Sequence, residues 1–300
     1  MIALLAPGQG SQTPGMLVPW LEEPDAEKQL AAWSEVAGLD LVRLGTTATA
    51  EEIRDTAVTQ PLVVAASLLA AARLGDRVPP AAPVAGHSVG EIAAAAVAGV
   101  LTPDDAVALA AARGREMAAA CALEETGMSA VLGGDPDAVL TRLAELGLDP
   151  ANRNGAGQVV AAGPVAALAA LAENPPEKAR VVPLAVAGAF HTRFMAPAQE
   201  ALRAHAAGIA VREPVRPLLS NADGAVVTGG AETLRRLVDQ VTRPVRWDSC
   251  MDGLRDLGVA ATAELPPAGA LTGLVKRALK GTATTAVKTP ADLEKIGAAS

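Results

Sequence analysis

The chain alternates between short, wholly apolar runs and longer stretches in which Ala and Leu are punctuated by charge. A short apolar run bounded by Gly or Pro reads as a strand buried on both faces, and the longer stretches read as helices. Ile2 to Ala6 is then a first strand, ended by Pro7-Gly8-Gln9-Gly10-Ser11-Gln12. Leu30 to Val36 and Glu51 to Arg54 predict short helices. Thr59 to Leu74 predicts a long one, with Pro61 in its first turn. The apolar stretch Ala81 to Ala85 leads into Gly86-His87-Ser88-Val89-Gly90-Glu91, and Ile92 to Ala98 is a helix closed by Gly99. Thr102-Pro103-Asp104-Asp105 is a strong helix start: a Thr cap, proline in first position and acids at the positive end of the dipole. That helix runs to about Ala120.

The next segment has a different rhythm. Met128 to Leu132 is a strand, Asp135 to Leu146 a helix, Gln158 to Ala162 a strand, Pro164 to Leu171 a helix and Ala179 to Val186 a strand. Two β-α-β units of this size predict a small ferredoxin-like subdomain over residues 126–187. It interrupts a larger α/β domain made of residues 1–125 and 188–300. The larger domain resumes with a helix at Pro197 to Ala207, a strand at Val215 to Ser220 and helices at Ala231 to Gln240 and Trp247 to Leu257. Ala261 to Leu265 is a strand and Leu271 to Leu279 the last packed helix, with a frayed tail from Ala291. The fold class is α/β with a parallel sheet.

Composition narrows the function. The chain has 300 residues, half of them hydrophobic, which is ample for a sizeable core. Its formal net charge is -8, it has no tyrosine, and it has only two phenylalanines and three tryptophans. An acidic chain without stacking residues is a poor nucleic-acid binder. Cys121 and Cys250 stand far apart with no CxxC pair, which argues against a disulfide framework or a zinc site and fits a reducing compartment. Met1-Ile-Ala-Leu-Leu-Ala lacks the basic region of a signal peptide, and no apolar stretch reaches membrane-spanning length. A soluble cytoplasmic protein is expected, with no metal.

Strand, Gly-x-Ser-x-Gly turn, helix is the context of a nucleophile elbow centred on Ser88. Side chains at Gly86 or Gly90 would block the turn. The free N–H groups that open the following helix, from Val89 onward, point at the serine. A serine needs a base, and there are three histidines. His87 is adjacent to Ser88, and neighbouring side chains diverge in a tight elbow. His205 lies beside Glu200 and Arg203 on a polar helix face. His191, just past an apolar strand and flanked by Phe190 and Phe194, is the expected base.

Taken in order, Gly8-Gln9-Gly10-Ser11-Gln12, Gly86-His87-Ser88-Val89-Gly90-Glu91, Arg113-Gly114, Gln158-Val159-Val160, Phe190-His191 and Pro244-Val245-Arg246-Trp247 resemble the motifs of malonyl-CoA:acyl carrier protein transacylases. These are relatives of the acyltransferase domains of fatty acid and polyketide synthases. The resemblance runs from Pro7 to about Arg277. It implies an α/β-hydrolase-like domain carrying a ferredoxin-like insertion, with Ser88 as nucleophile and His191 as base. It implies an oxyanion hole from the backbone N–H groups of Gln9 and Val89, worth on the order of 3 kcal/mol each. Arg113, twenty-five residues after Ser88, falls where the family holds the malonyl carboxylate; Arg115 is its local competitor. Gln240 falls on the residue that helps orient the histidine, so no acid completes the set. Asn152 and Asn154 are weaker pocket candidates. Phe190 stands where branched-substrate members carry a small residue, often serine, so its bulk favours malonyl over methylmalonyl.

The resemblance further implies malonyl-CoA and an acyl carrier protein as partners, no cofactor of the enzyme's own (phosphopantetheine belongs to the carrier), and a monomer. Lys276, Arg277 and Lys280, or Arg193, would meet the acidic carrier. Two departures stand out. Ala6 is smaller than the family's usual residue, and Leu265-Pro266-Pro267-Ala268-Gly269 replaces a Gly-Pro-Gly turn. The competing readings are a serine esterase or thioesterase of α/β-hydrolase type and a non-catalytic carrier-binding module. The first expects an acid and a C-terminal histidine. The second expects loss of Ser88, His191 or Arg113.

Overall fold

The computed structural model describes residues 1–296. Its strands are β1 (Ile2–Ala6), β2 (Val84–Gly86), β3 (Thr126–Gly133), β4 (Asp149–Gly155), β5 (Gln158–Pro164), β6 (Ala179–Pro183), β7 (Leu218–Leu219), β8 (Val226–Val227), β9 (Ala261–Glu264) and β10 (Ala283–Ala286). Its helices are α1 (Ala26–Ala37), α2 (Leu41–Thr46), α3 (Thr56–Ala71), α4 (Gly90–Val97), α5 (Pro103–Cys121), α6 (Pro136–Glu145), α7 (Val165–Glu173), α8 (Ala196–Ala206), α9 (Gly230–Asp239), α10 (Trp247–Asp256) and α11 (Ala270–Ala278).

Six strands form one sheet in the order β10-β9-β1-β2-β7-β8, parallel except for the β7–β8 pair. β1 lies inside it and is apolar on both faces. Leu4 and Ala6 pack into the larger core with α1, α3, α4 and α5, while Ala3 and Leu5 pack into a second core with α10 and α11. Four strands form a separate antiparallel sheet, β4-β5-β3-β6, with its own core around Val131, Leu143 and Leu171.

The elements differ from expectation in several places, among them the added α2 and β8 and a β7 of two residues in place of the expected strand Val215 to Ser220. Four differences have a local reason. The long helix starts at Thr56, because Asp55 caps it by accepting from the Ala57 N–H, so Pro61 lies inside the helix. The small sheet has four strands, not three. β4, Asp-Pro-Ala-Asn-Arg-Asn-Gly, has no apolar alternation and exists through its pairing with β5. α11 is not the last packed element, since β10 adds an edge strand beside β9. The expected frayed tail is instead a 3-10 turn, Pro290–Lys295, followed by Ile296; Leu293 and Ile296 are buried. Residues 297–300 lie outside the described part.

α3 and α5 cross with almost no separation at Gly114. A Cβ there would stand 2.7 Å from the Thr56 carbonyl oxygen and 3.1 Å from the Ala57 Cα. That closeness seats the neighbouring Arg113 in the interior. Alanine at 114 would gain about 1 kcal/mol of helix propensity but would force two backbones apart, at about 1–3 kcal/mol or more. Gly114→Ala is therefore expected to lower stability, read as a lower urea midpoint. An unchanged or raised midpoint would show that the crossing can relax.

Candidate active site

The elbow follows from contacts that exclude side chains. A Cβ on Gly86 would fall 2.0 Å from the Gly90 carbonyl oxygen, and one on Gly90 would fall 2.2 Å from that of Ala6. β1, the turn and α4 are thus pressed together, and Ser88 between them takes φ 54°. A left-handed serine stays only where its surroundings over-determine it. Asn221 is one such surrounding group. Its Oδ1 accepts the Ser88 N–H at 2.8 Å, its Nδ2 donates to the Gly86 carbonyl at 2.7 Å, and it is fully buried.

Ser88 Oγ lies 2.7 Å from His191 Nε2, and His191 Nδ1 lies 2.8 Å from the backbone carbonyl of Gln240. A carbonyl only accepts, so Nδ1 carries the proton and Nε2 offers its lone pair to the serine hydroxyl. The contact from Gln240 to His191 is therefore made by its backbone. The Gln240 side chain faces elsewhere: Oε1 accepts from Arg113 Nη2 at 2.9 Å, and Nε2 donates to the Ser88 carbonyl, Glu91 and Asn221.

Arg113 is 1% exposed. Nη1 donates to Gln60 Oε1 at 2.6 Å, Nη2 reaches Ser88 Oγ at 3.3 Å, and Nε has no partner among the described residues. Burial lowers the Arg113 pKa to about 10, which leaves it a cation. Burial and the Arg113 charge together push the His191 pKa down to about 3. His87 does not reach the serine; its Nε2 lies 2.9 Å from Asn154 Oδ1 and its ring meets Trp247 edge-on. His205 stands near Glu116 on the half-exposed side of α8.

A cavity of about 370 Å³ opens onto Ser88 and is lined by Gln9, Arg113, Phe190, His191, Asn152 and Asn154, among others. Val89 and Gln240 are not among the residues that line it. The backbone N–H groups of Gln9 and Val89 make no hydrogen bond among the described residues. Arg115 is exposed. Gln60, Glu91 and Asn221 were not singled out from sequence as site residues. Glu91 was in view as the last residue of the elbow motif, three positions after the serine. The described residues hold no cluster of His, Cys, Asp and Glu suited to a metal ion, and no helix long and apolar enough to cross a membrane.

Fold and site define a class, the α/β enzymes that set a serine on a strand-to-helix elbow beside a histidine. Within it the chain belongs to the acyl transferase domain family, whose model matches residues 4–294. It is 62% identical over 299 residues, 99% of each chain, to a malonyl CoA-acyl carrier protein transacylase of Mycobacterium tuberculosis. The crystal structure of MCAT from that organism superposes with a TM-score of 0.96, covering 99% of both chains. A malonyl-transacylase solved in complex with a type II polyketide synthase acyl-carrier protein is 32% identical, with a TM-score of 0.91 over 100% of this chain and 99% of that one.

Two outcomes follow from the geometry. Asn221→Ala strips partners from two buried backbone groups, at about 1–3 kcal/mol each; it is expected to lower the urea midpoint and slow Ser88 labelling together. For His191 the sign is set by its lowered pKa. Neutral His191 persists as pH falls below 6.5, so labelling of Ser88 by an uncharged fluorophosphonate is expected to hold its rate from pH 7 to 5. A labelling rate that halves near pH 6.5 would contradict the depressed pKa.

Proposed function

We propose that this chain moves the malonyl group of malonyl-CoA to the phosphopantetheine thiol of an acyl carrier protein, through a malonyl-Ser88 intermediate. The observation that carries this reading is the position of Ser88 Oγ, between His191 Nε2 at 2.7 Å and Arg113 Nη2 at 3.3 Å. A base and a carboxylate-binding cation converge on one hydroxyl. The names of the similar transacylases support the substrate and the acceptor.

His191 takes the hydroxyl proton as Ser88 attacks the thioester carbonyl. The oxyanion forms against the Gln9 and Val89 N–H groups, which have no competing acceptor. CoA leaves with the proton from His191. The malonyl carboxylate pairs with Arg113, whose unpartnered Nε and adjacent Nη2, once Nη2 releases its long 3.3 Å contact with Ser88 Oγ, suit a two-pronged contact. An acyl group without that carboxylate forgoes the direct, charge-assisted contact with the guanidinium, which is the basis of discrimination. Phe190, buried beside the serine, takes up space an extra methyl would need. The carrier thiol then attacks, and His191 acts in reverse.

The carrier is acidic on this reading and meets Lys276, Arg277 and Lys280, which are exposed on and just after α11, with Arg277 at the cavity mouth. Arg193 serves less well, since Asp149 already pairs with it. Extender units for fatty acid or polyketide synthesis are the product. No cofactor is required, and the chain acts as a cytoplasmic monomer; its two cysteines are unpaired, which suits a reducing compartment. Residues 126–187 act as a ferredoxin-like subdomain inserted between 1–125 and 188–300. Support comes from the β-α-β-β-α-β order of β3 to β6 and their single separate sheet.

Brief exposure to malonyl-CoA followed by intact mass spectrometry tests the reading. Wild type is expected to gain one malonyl group and Ser88→Ala none. Arg113→Ala is expected to lose about a hundredfold or more in malonylation rate and much less with acetyl-CoA. An adduct retained in Ser88→Ala, or equal losses with both thioesters, would overturn the assignment.

A further inference from the structure

Glu91 is 3% exposed and has no role in the transfer steps above. Its Oε1 accepts the Asn221 N–H at 3.0 Å and its Oε2 accepts from Gln240 Nε2 at 2.5 Å. Both oxygens thus face N–H donors, the arrangement of an ionised carboxylate. The far end of the same Gln240 amide accepts from Arg113. One side-chain amide therefore spans a buried cation and a buried anion. Such a pair persists because each ion offsets the cost of burying the other.

We propose that Glu91 is the resident counter-ion of Arg113, coupled to it through Gln240, and that it gives up this role and takes a proton from solvent when a substrate carboxylate reaches the guanidinium. The inference rests on the malonyl reading of the site. Two carboxylates around one buried cation repel each other, and the one that can be neutralised is the resident one. The groups facing Glu91 are few. Arg113 on α5 and Arg236 on α9 favour its charge, and the thiol of Cys250 on α10 is pushed up by burial and by Glu91 itself, so it stays neutral. His191 and His87 are held neutral by burial. Burial raises Glu91 to about 7, within reach of a modest further push.

Serine acylation by a thioester exchanges a hydroxyl proton for a thiol proton, and the CoA phosphates are alike before and after. The transfer is itself proton-neutral near pH 7, so any net uptake comes from the protein. In stopped-flow with a pH indicator and minimal buffer, first-turnover malonylation of wild type at pH 7 is expected to consume about half a proton per adduct, as follows from a group half ionised there. Adducts are counted by mass spectrometry. Uptake is expected to vanish at pH 5, where Glu91 is already protonated, and to be lost at pH 7 in Glu91→Gln and in wild type given acetyl-CoA. An adduct formed without uptake in wild type, or with equal uptake in Glu91→Gln, would overturn the proposal. If Glu91→Gln does not fold, the wild-type comparison of pH 7 with pH 5 decides alone. Absence of any malonyl adduct would instead sink the malonyl reading, so the two failures are separable.

Discussion

A guanidinium sealed from water has to be answered by other groups, and much of this molecule is arranged around that need. Gln60 on α3 holds one nitrogen of Arg113, and Gln240 at the end of α9 holds another. Gly114 allows α5 to lie close enough to α3 for the first contact. The same charge also acts on the base. Burial first and this charge second keep His191 neutral, so the guanidinium and the imidazole beside Ser88 are electrostatically linked.

Strain is concentrated beside this charge. Ser88 and His191 both adopt left-handed backbone conformations, at φ 54° and φ 61°. Each costs on the order of 1–3 kcal/mol. Around the serine, Asn221 and the glycine contacts hold the turn. Around the histidine, the Thr192 hydroxyl closes onto the Ala189 carbonyl, and Thr126 of β3 accepts the Ala189 N–H. The Ser88 and His191 side chains, from distant parts of the chain, thereby meet at hydrogen-bonding distance without relying on their own backbone preferences.

The α/β alternation and the elbow could be read in advance because they rest on local patterns: apolar runs, glycine spacing and a capped helix start. Thr102 does accept the Asp105 N–H as a cap should. β4 could not be read, because Asp149–Gly155 owes its strand to its partner and not to its composition. Gln240 illustrates another limit. Resemblance picked the residue, but its backbone carbonyl faces His191 while its side chain serves Arg113, and a sequence does not separate the two. Asn221 sits in an unremarkable Ser-Asn-Ala-Asp stretch, and only the tertiary fold brings its amide to the elbow 133 residues away.

β4 also ties the small sheet to the segment that leads into α10 and to the elbow. Val245, in the segment leading to α10, exchanges backbone hydrogen bonds with Ala151 and Arg153 of β4, and Asn154 of the same strand reaches His87 at the elbow. Moving the small sheet away from the elbow would therefore break this bridge of two backbone hydrogen bonds and the Asn154–His87 contact together. A cavity of about 370 Å³ bordered by such ties has more room for a narrow, flexible arm than for a bulky group.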